Sequence, residues 1–142
     1  MGAVSLKKKY SQIDLRVLAH LSGDAALGEA FARGEDIHAR TAAAVFGVDP
    51  SAVTPAMRQQ AKTVNFGIVY GMSAFGLSRE MGIPQTEARD FIERYFAHYA
   101  GVRSYIERAL REAAAAGLVT TLLNRRRAVP ELASRNGATR EQ

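Results

Sequence analysis

From Thr54 to Gly71 the chain reads TPAMRQQAKTVNFGIVYG, and Arg58, Lys62, Phe66 and Tyr70 recur in it at every fourth position. That spacing constrains the fold strongly. Four residues advance an α-helix by about 400°, so the side chains form one stripe, roughly 18 Å long at about 1.5 Å per residue. Two cations come first and two aromatics follow. A nucleoside triphosphate has that layout, with phosphates at one end and a flat base at the other. Thr54 suits an N-cap and Pro55 a first helical position, which puts Arg58 and Lys62 early in the helix. Cations there oppose the helix macrodipole by roughly 0.3–1 kcal/mol, and a bound anion relieves the conflict. On spacing alone, an ordinary amphipathic helix with two solvated cations explains the pattern equally well. Phe66-Gly67 and Tyr70-Gly71 favour a ligand. A helix-interior glycine costs about 1 kcal/mol, and a glycine beside an aromatic leaves room for a flat group against the backbone.

Caps and turns divide the rest of the chain into short helices. Ser11 caps a helix to about Leu21, with Ile13, Val17 and Leu21 on one face. Ser22-Gly23-Asp24 ends it, and Gly23 or Asp24 starts a short helix through Phe31. Gly34-Glu35-Asp36 is a turn and cap for a helix over Ile37–Phe46, stopped at Gly47. His38 falls in its first turn, where a lone histidine is more often structural than ligand-binding. Ser51 opens a short helical turn, and the motif helix spans Pro55 to about Tyr70. Ser73 caps a helix through Met81, and Gly82-Ile83-Pro84 is a sharp turn. From Gln85 or Thr86, Ala88, Phe91, Ile92, Tyr95, Phe96 and Tyr99 recur at intervals of three and four, a core stripe.

Gly101 interrupts this run, and Val102, Tyr105, Ile106, Ala109, Leu110 and Ala113 continue as a second core stripe, closed at Gly117. Leu118–Leu123 is strand-like, Asn124 and the arginines form a loop, and Ala128-Val129 is a short return strand. Gly137–Gln142 reads as a frayed polar end. The fold class is therefore mainly α, several helices with a small β-hairpin near residues 118–130.

At 142 residues the chain has the size of one domain. No apolar run approaches the roughly 20 residues that span a bilayer, and no signal-peptide core is visible, so no membrane partner is expected. With no cysteine, disulfides and thiolate metal sites are excluded. Lys and Arg number 19 against 14 Asp and Glu, a net charge of +5 that weakly favours an anionic partner. The run Arg125-Arg126-Arg127 fits either a solvated turn or a sequence-independent, salt-sensitive contact with phosphates.

The motif Arg-x3-Lys-x3-Phe-Gly-x2-Tyr-Gly resembles motif B of the family A DNA polymerases. YSQIDLRVLAHLSGD (Tyr10–Asp24), EDIHARTAAAVFGV (Glu35–Val48), FIERYFAHYAGVRSYIE (Phe91–Glu107) and LNRRRAVPEL (Leu123–Leu132) resemble further segments of the same family, in the same order. The resemblance covers about residues 10–142 and implies the fingers subdomain with a small edge of the palm. It implies that Arg58 and Lys62 hold the triphosphate of an incoming dNTP and that His38 contacts its β-phosphate. Phe66 would pack on the sugar and base, and Gln12 would lie near the sugar and minor groove. Asp14 stands where the family has a Glu steric gate against a 2′-hydroxyl. Tyr70 and Gly71 would lie by the templating base, and Arg125 and Arg127 would touch the DNA backbone. DNA replication and repair in a bacterial cytoplasm are the implied setting, and a monomer is expected.

The chain also departs from the family. Lys9 occupies the place of a metal-binding Asp in motif A, and an ammonium has no lone pair for a metal. The His-Asp-Glu segment of the palm is not in the sequence. No cofactor is therefore expected in this chain. Mg²⁺ belongs to an intact polymerase with palm and thumb, and this chain alone is expected to be inactive. Residues 1–9, with Lys7-Lys8-Lys9, look unlike a palm strand and read as a leader or a solubilising replacement. Two other functions compete. Leu77–Tyr95 has the outline of a helix-turn-helix, but Glu87, Asp90 and Glu93 would face phosphates with the wrong sign. A purely structural helical domain without ligand affinity is the remaining alternative.

Overall fold

The computed structural model describes residues 12–134. Residues 1–9, read above as a leader or a solubilising replacement and including Lys9, the Ser11 cap and the tail from Gly137 lie outside the described residues. The chain divides into two compact units, one ending at Arg103 and the other starting at Ser104.

The regular elements described in the first unit are helices, and those that follow Asp24, Asp36, Thr54 and Ser73 start where a short polar side chain accepts from an orphan backbone N–H group, whereas Gln12 and Pro84 make no such bond. Helix α1 spans Ile13–Ser22 and α2 Ala25–Ala32, with the Asp24 carboxylate accepting from Leu27 N at 2.9 Å. Helix α3 spans Ile37–Phe46, capped by Asp36 and closed by Gly47 in the left-handed region. A 3-10 turn over Pro50–Ala52 follows, capped by Asp49 rather than begun by Ser51. Helix α4 runs Pro55–Val69 behind Thr54, α5 Ala74–Met81 behind Ser73, and α6 Gln85–His98 behind Pro84. Helix α7 (Ala100–Ala116) starts here and continues into the second unit.

The core lies where α3 packs on α4 and α6, and α5 fills in against α4 and α6. Leu15, Leu27, Ile37, Val45, Val64, Leu77, Tyr95 and Tyr99 are sealed in it. Each apolar side chain of this size contributes roughly 1.5–3 kcal/mol on burial. The stripe on α6 packs as its spacing requires, with Phe91 edge-on to Phe46 at 5.1 Å and Tyr95 tilted on Tyr99 at 4.8 Å.

Several expected details differ. On α1 the face with Ile13 and Val17 is exposed, and Leu15 and Leu18 are the buried pair. The period of three and four admitted both faces, and packing chose the one with two leucines. Gly101 does not break a helix. Tyr99 does (φ −108°, ψ 61°), and Gly101 lies inside α7. Its backbone N–H donates to Asp24 Oδ2 at 2.8 Å, and a Cβ there would stand 2.9 Å from Asp24 Cα. Glycine is required at that position by close approach.

In the second unit, α7 is followed by an antiparallel hairpin of β1 (Leu118–Thr120) and β2 (Arg126–Ala128), with Val119 opposite Arg127. β1 is shorter than the Leu118–Leu123 run suggested, whereas β2 begins two residues earlier than the expected Ala128-Val129 strand, inside the arginine run, and ends at Ala128. The turn closes tightly, with Thr121 N bonding Arg125 O at 2.9 Å and Asn124 in the left-handed region, which leaves Leu122 and Leu123 exposed. Leu110 is also exposed, so the second core stripe is narrower than its spacing implied. No helix among the described residues is long and apolar enough to cross a membrane.

Candidate nucleotide and nucleic-acid site

Helix α4 carries the site because of how it is divided. Ala61, Val64, Asn65, Gly67 and Ile68 face the core. Arg58, Lys62 and Phe66 then fall on its flank, half-buried and on one stripe. The helix ends at Val69, so Tyr70 is not its last turn but its C-cap, 71% exposed, with its N–H still bonded to Phe66 O at 3.0 Å.

The cationic end of the stripe meets the start of α3 through Asp36. One carboxylate oxygen, Oδ1, accepts from the backbone N–H groups of His38 and Ala39 at 3.0 and 3.1 Å. The other, Oδ2, accepts from Arg58 Nε at 2.7 Å. Burial pushes the Asp36 carboxyl up, but the Arg58 hydrogen bond, the two backbone donors and the Arg58 charge outweigh it and hold the group below its ordinary value. The pair ties Arg58 through Nε and leaves its two terminal amino groups for another acceptor. His38 is 3% exposed and lies beside Phe66, with ring centroids 6.0 Å apart. Burial lowers its pKa, the charges of Arg58 and Lys62 lower it further, and Asp36 opposes them. His38 therefore stands beside Phe66 and within reach of the Arg58 and Lys62 charges, a residue that the stripe itself did not place.

At the aromatic end, the Tyr70 hydroxyl donates to Asp14 Oδ2 at 3.1 Å, which brings the start of α1 to the end of α4. Gln12 precedes α1 in the left-handed region, and its carbonyl accepts from Arg16 N at 3.0 Å. Gln12, Asp14 and Tyr70 thus share one neighbourhood of the first unit. Arg125 and Arg127 belong to the second unit, where Val119, Thr121 and the three arginines line a shallow open cavity.

The two glycines read as room for a flat ligand have reasons inside the fold. A Cβ at Gly67 would meet Leu77 Cδ1 at 3.4 Å and Met72 Cβ at 3.6 Å, so Gly67 lets the end of α4 approach α5. Gly71 has φ +67° in the turn after α4, a conformation that L side chains rarely adopt.

Sequence reasoning missed Asp36 as the partner of Arg58, seeing only a cap. It also missed a buried polar chain behind His38. Asn65 Nδ2 lies 2.9 Å from His38 Nδ1, Thr41 Oγ1 donates to Asn65 Oδ1 at 3.1 Å, and Tyr99 Oη lies 3.2 Å from Thr41 Oγ1. The signal was present. Thr41 sits between Ile37 and Val45, and Asn65 between Ala61 and Ile68, each a polar residue on a core-facing stripe. Among the described residues no group of three or more His, Asp or Glu is placed to hold a metal.

Known proteins match this chain in sequence and in fold. The family model for DNA polymerase family A matches residues 2–142. The chain is 57% identical over 140 residues to the thermostable DNA polymerase I of Thermus filiformis, covering 99% of this chain and 17% of that protein. It is 57% identical over 127 residues to DNA polymerase I of Bacillus subtilis (strain 168), covering 89% of this chain and 14% of that protein. Among solved structures, it superposes on the POL domain of Pol1 from M. smegmatis in complex with DNA primer-template and dNTP. The TM-score is 0.85 at 44% identity, over 92% of this chain and 23% of that one. The chain thus spans about a sixth of the length of the curated relatives. Helical core, motif stripe and sequence agree, and this chain belongs to DNA polymerase family A.

Proposed function

We propose that this chain is the fingers module of a DNA-directed DNA polymerase, which grips the incoming dNTP and closes with it over the active site. The observation that carries the reading is the single cluster of Arg58, Lys62, His38 and Phe66 at the junction of α3 and α4. In this role Arg58 and Lys62 hold and neutralise the triphosphate, His38 donates to a phosphate oxygen, and Phe66 packs on the sugar and base. Gln12 and Asp14 line the sugar edge, with Asp14 as a shortened steric gate. Tyr70 and Gly71 lie by the templating base. Arg125 and Arg127 contact DNA phosphates without reading sequence. The solved relative, a complex with primer-template and dNTP, supports these partners.

No bond-making step is assigned to this chain. Lys9 in the place of a metal-binding Asp offers no oxygen, and Mg²⁺ would be held by carboxylates of an intact polymerase in the bacterial cytoplasm. Fixing the triphosphate and excluding water are the contributions open to these residues.

Titration of the ¹⁵N-labelled chain with dNTP tests the reading. Shifts are expected at Lys62 and Phe66. Lys62→Ala removes a charge-assisted hydrogen bond, so it should weaken binding about tenfold while the fold is kept. No change at millimolar dNTP would instead leave a structural domain without nucleotide affinity.

A further inference from the structure

We infer that Asn65 is the positioning residue for His38: its amide nitrogen donates to Nδ1, so the neutral ring carries its proton on Nε2 and presents that N–H as a donor. The buried chain Tyr99–Thr41–Asn65–His38 admits two directions. In the first, the Tyr99 phenol donates to Thr41 Oγ1, the Thr41 hydroxyl to Asn65 Oδ1, and the Asn65 NH₂ to His38 Nδ1. Every hydroxyl proton then has an acceptor. In the second, the Asn65 amide is flipped and His38 Nδ1–H donates to it. Asn65 then donates to Thr41, Thr41 to Tyr99 Oη, and the phenol proton points nowhere.

Tyr99 is fully buried, and its hydroxyl has no hydrogen-bond partner besides Thr41 among the described residues. Leaving a buried donor unpaired forfeits its hydration with nothing in return, which selects the first direction. Asn65 and Thr41 are themselves fully buried, so water does not compete for the chain.

The far side of the ring completes the argument. His38 Nε2 has no partner among the described residues, yet it is not among the sealed, unpartnered atoms, where Tyr95 Oη stands alone. It therefore keeps some contact with solvent. Arg58, Lys62 and Asp36 are the charged groups acting on the ring, and with burial their balance keeps it neutral. A neutral Nε2–H donates to an oxyanion without adding a third cation beside Arg58 and Lys62. That the oxyanion is a phosphate rests on the function proposed above; the tautomer does not.

The test is a long-range ¹H–¹⁵N spectrum of the histidine rings in this chain near neutral pH. A bare Nδ1 and a protonated Nε2 at His38 are expected. An Nδ1–H ring, or a mixture, would overturn the inference. Asn65→Asp sets a carboxylate against Nδ1, so His38 should become an imidazolium with its midpoint raised by at least about one pH unit. An unchanged midpoint would also overturn it. If that variant does not fold, Thr41→Val removes the donor that orients the amide and should give mixed tautomers; a single unchanged tautomer counts against Asn65. Adding inorganic tripolyphosphate should shift Nε2–H. A correct tautomer with no such shift would uphold the role of Asn65 and sink the phosphate reading alone.

Discussion

The Tyr70 phenol donates a 3.1 Å hydrogen bond to Oδ2 of Asp14, a residue 56 positions earlier in the chain. The hydrogen bond and the carboxylate charge raise the phenol pKa, because a phenolate there would face an anion. Two residues assigned separate roles beside the base and sugar are therefore engaged with each other. Asp14→Asn removes the charge, and the Tyr70 midpoint should fall back toward 10.0, the ordinary value for tyrosine. Titration of the tyrosine ring carbons by NMR reads this directly. An unmoved midpoint would mean that the pair does not form in solution.

Asp36 does two things with one carboxylate, and substitution separates them. Asp36→Ala loses the α3 cap and the Arg58 partner together, so it should cost about 1–2 kcal/mol in urea unfolding. Asp36→Asn keeps an oxygen for the backbone donors and should recover most of that loss, since the ion pair itself is exposed and weak. Equal losses in the two variants would assign the effect to the ion pair.

Burial lowers the pKa of both His38 and His98, so the unfolded chain binds protons that the folded chain refuses. Stability is full above the ordinary histidine value of 6.5 and falls as pH drops below it, levelling beneath the lowered folded values. Asp36 adds a second, more acidic loss, because its folded pKa lies below 3.8 and its contribution disappears as pH falls through that lower value. Denaturant midpoints across pH should show the first fall, and His38→Gln should shrink it. An undiminished fall in that variant would place the linkage elsewhere.

Two glycines inside helices should respond to alanine with opposite signs. At Gly101 a Cβ would stand 2.8 Å from Asp24 Oδ2 and 2.9 Å from its Cα, so Gly101→Ala should destabilise by about 1–3 kcal/mol. At Gly28 nothing lies within 4 Å, and Gly28→Ala should stabilise by about 0.5–1 kcal/mol through helix propensity. Thermal melts of both variants check the pair.

If Arg125 and Arg127 bind DNA phosphates, replacing both with Gln should weaken duplex binding equally for unrelated sequences. The log–log salt slope should shrink by about 0.9 for each phosphate no longer neutralised. A sequence-dependent loss would argue for base recognition instead.

The site was legible where chemistry follows spacing. Arg58, Lys62 and Phe66 share a stripe because the helical period demands it, and Thr54, Asp24 and Ser73 cap because their side chains reach free N–H groups. Long-range partners were not legible. Asp36 looks like any helix cap until α4 is packed beside it, and nothing near Gly67 announces Leu77. The hairpin ran long on paper because Leu122 and Leu123 favour strands, whereas the Thr121–Arg125 turn fixes its length through backbone bonds that composition does not encode.

The chain of donors from Tyr99 through Thr41 and Asn65 to His38 also restricts movement. A greasy seam between helices can slip by one rotamer at little cost. Directional bonds between buried partners resist this, because a slip strands several of them at once. The start of α3, the middle of α4 and the end of α6 are thus keyed together like pins in a lock. Any swing that carries Lys62 and Phe66 toward a ligand must carry all three as one rigid block.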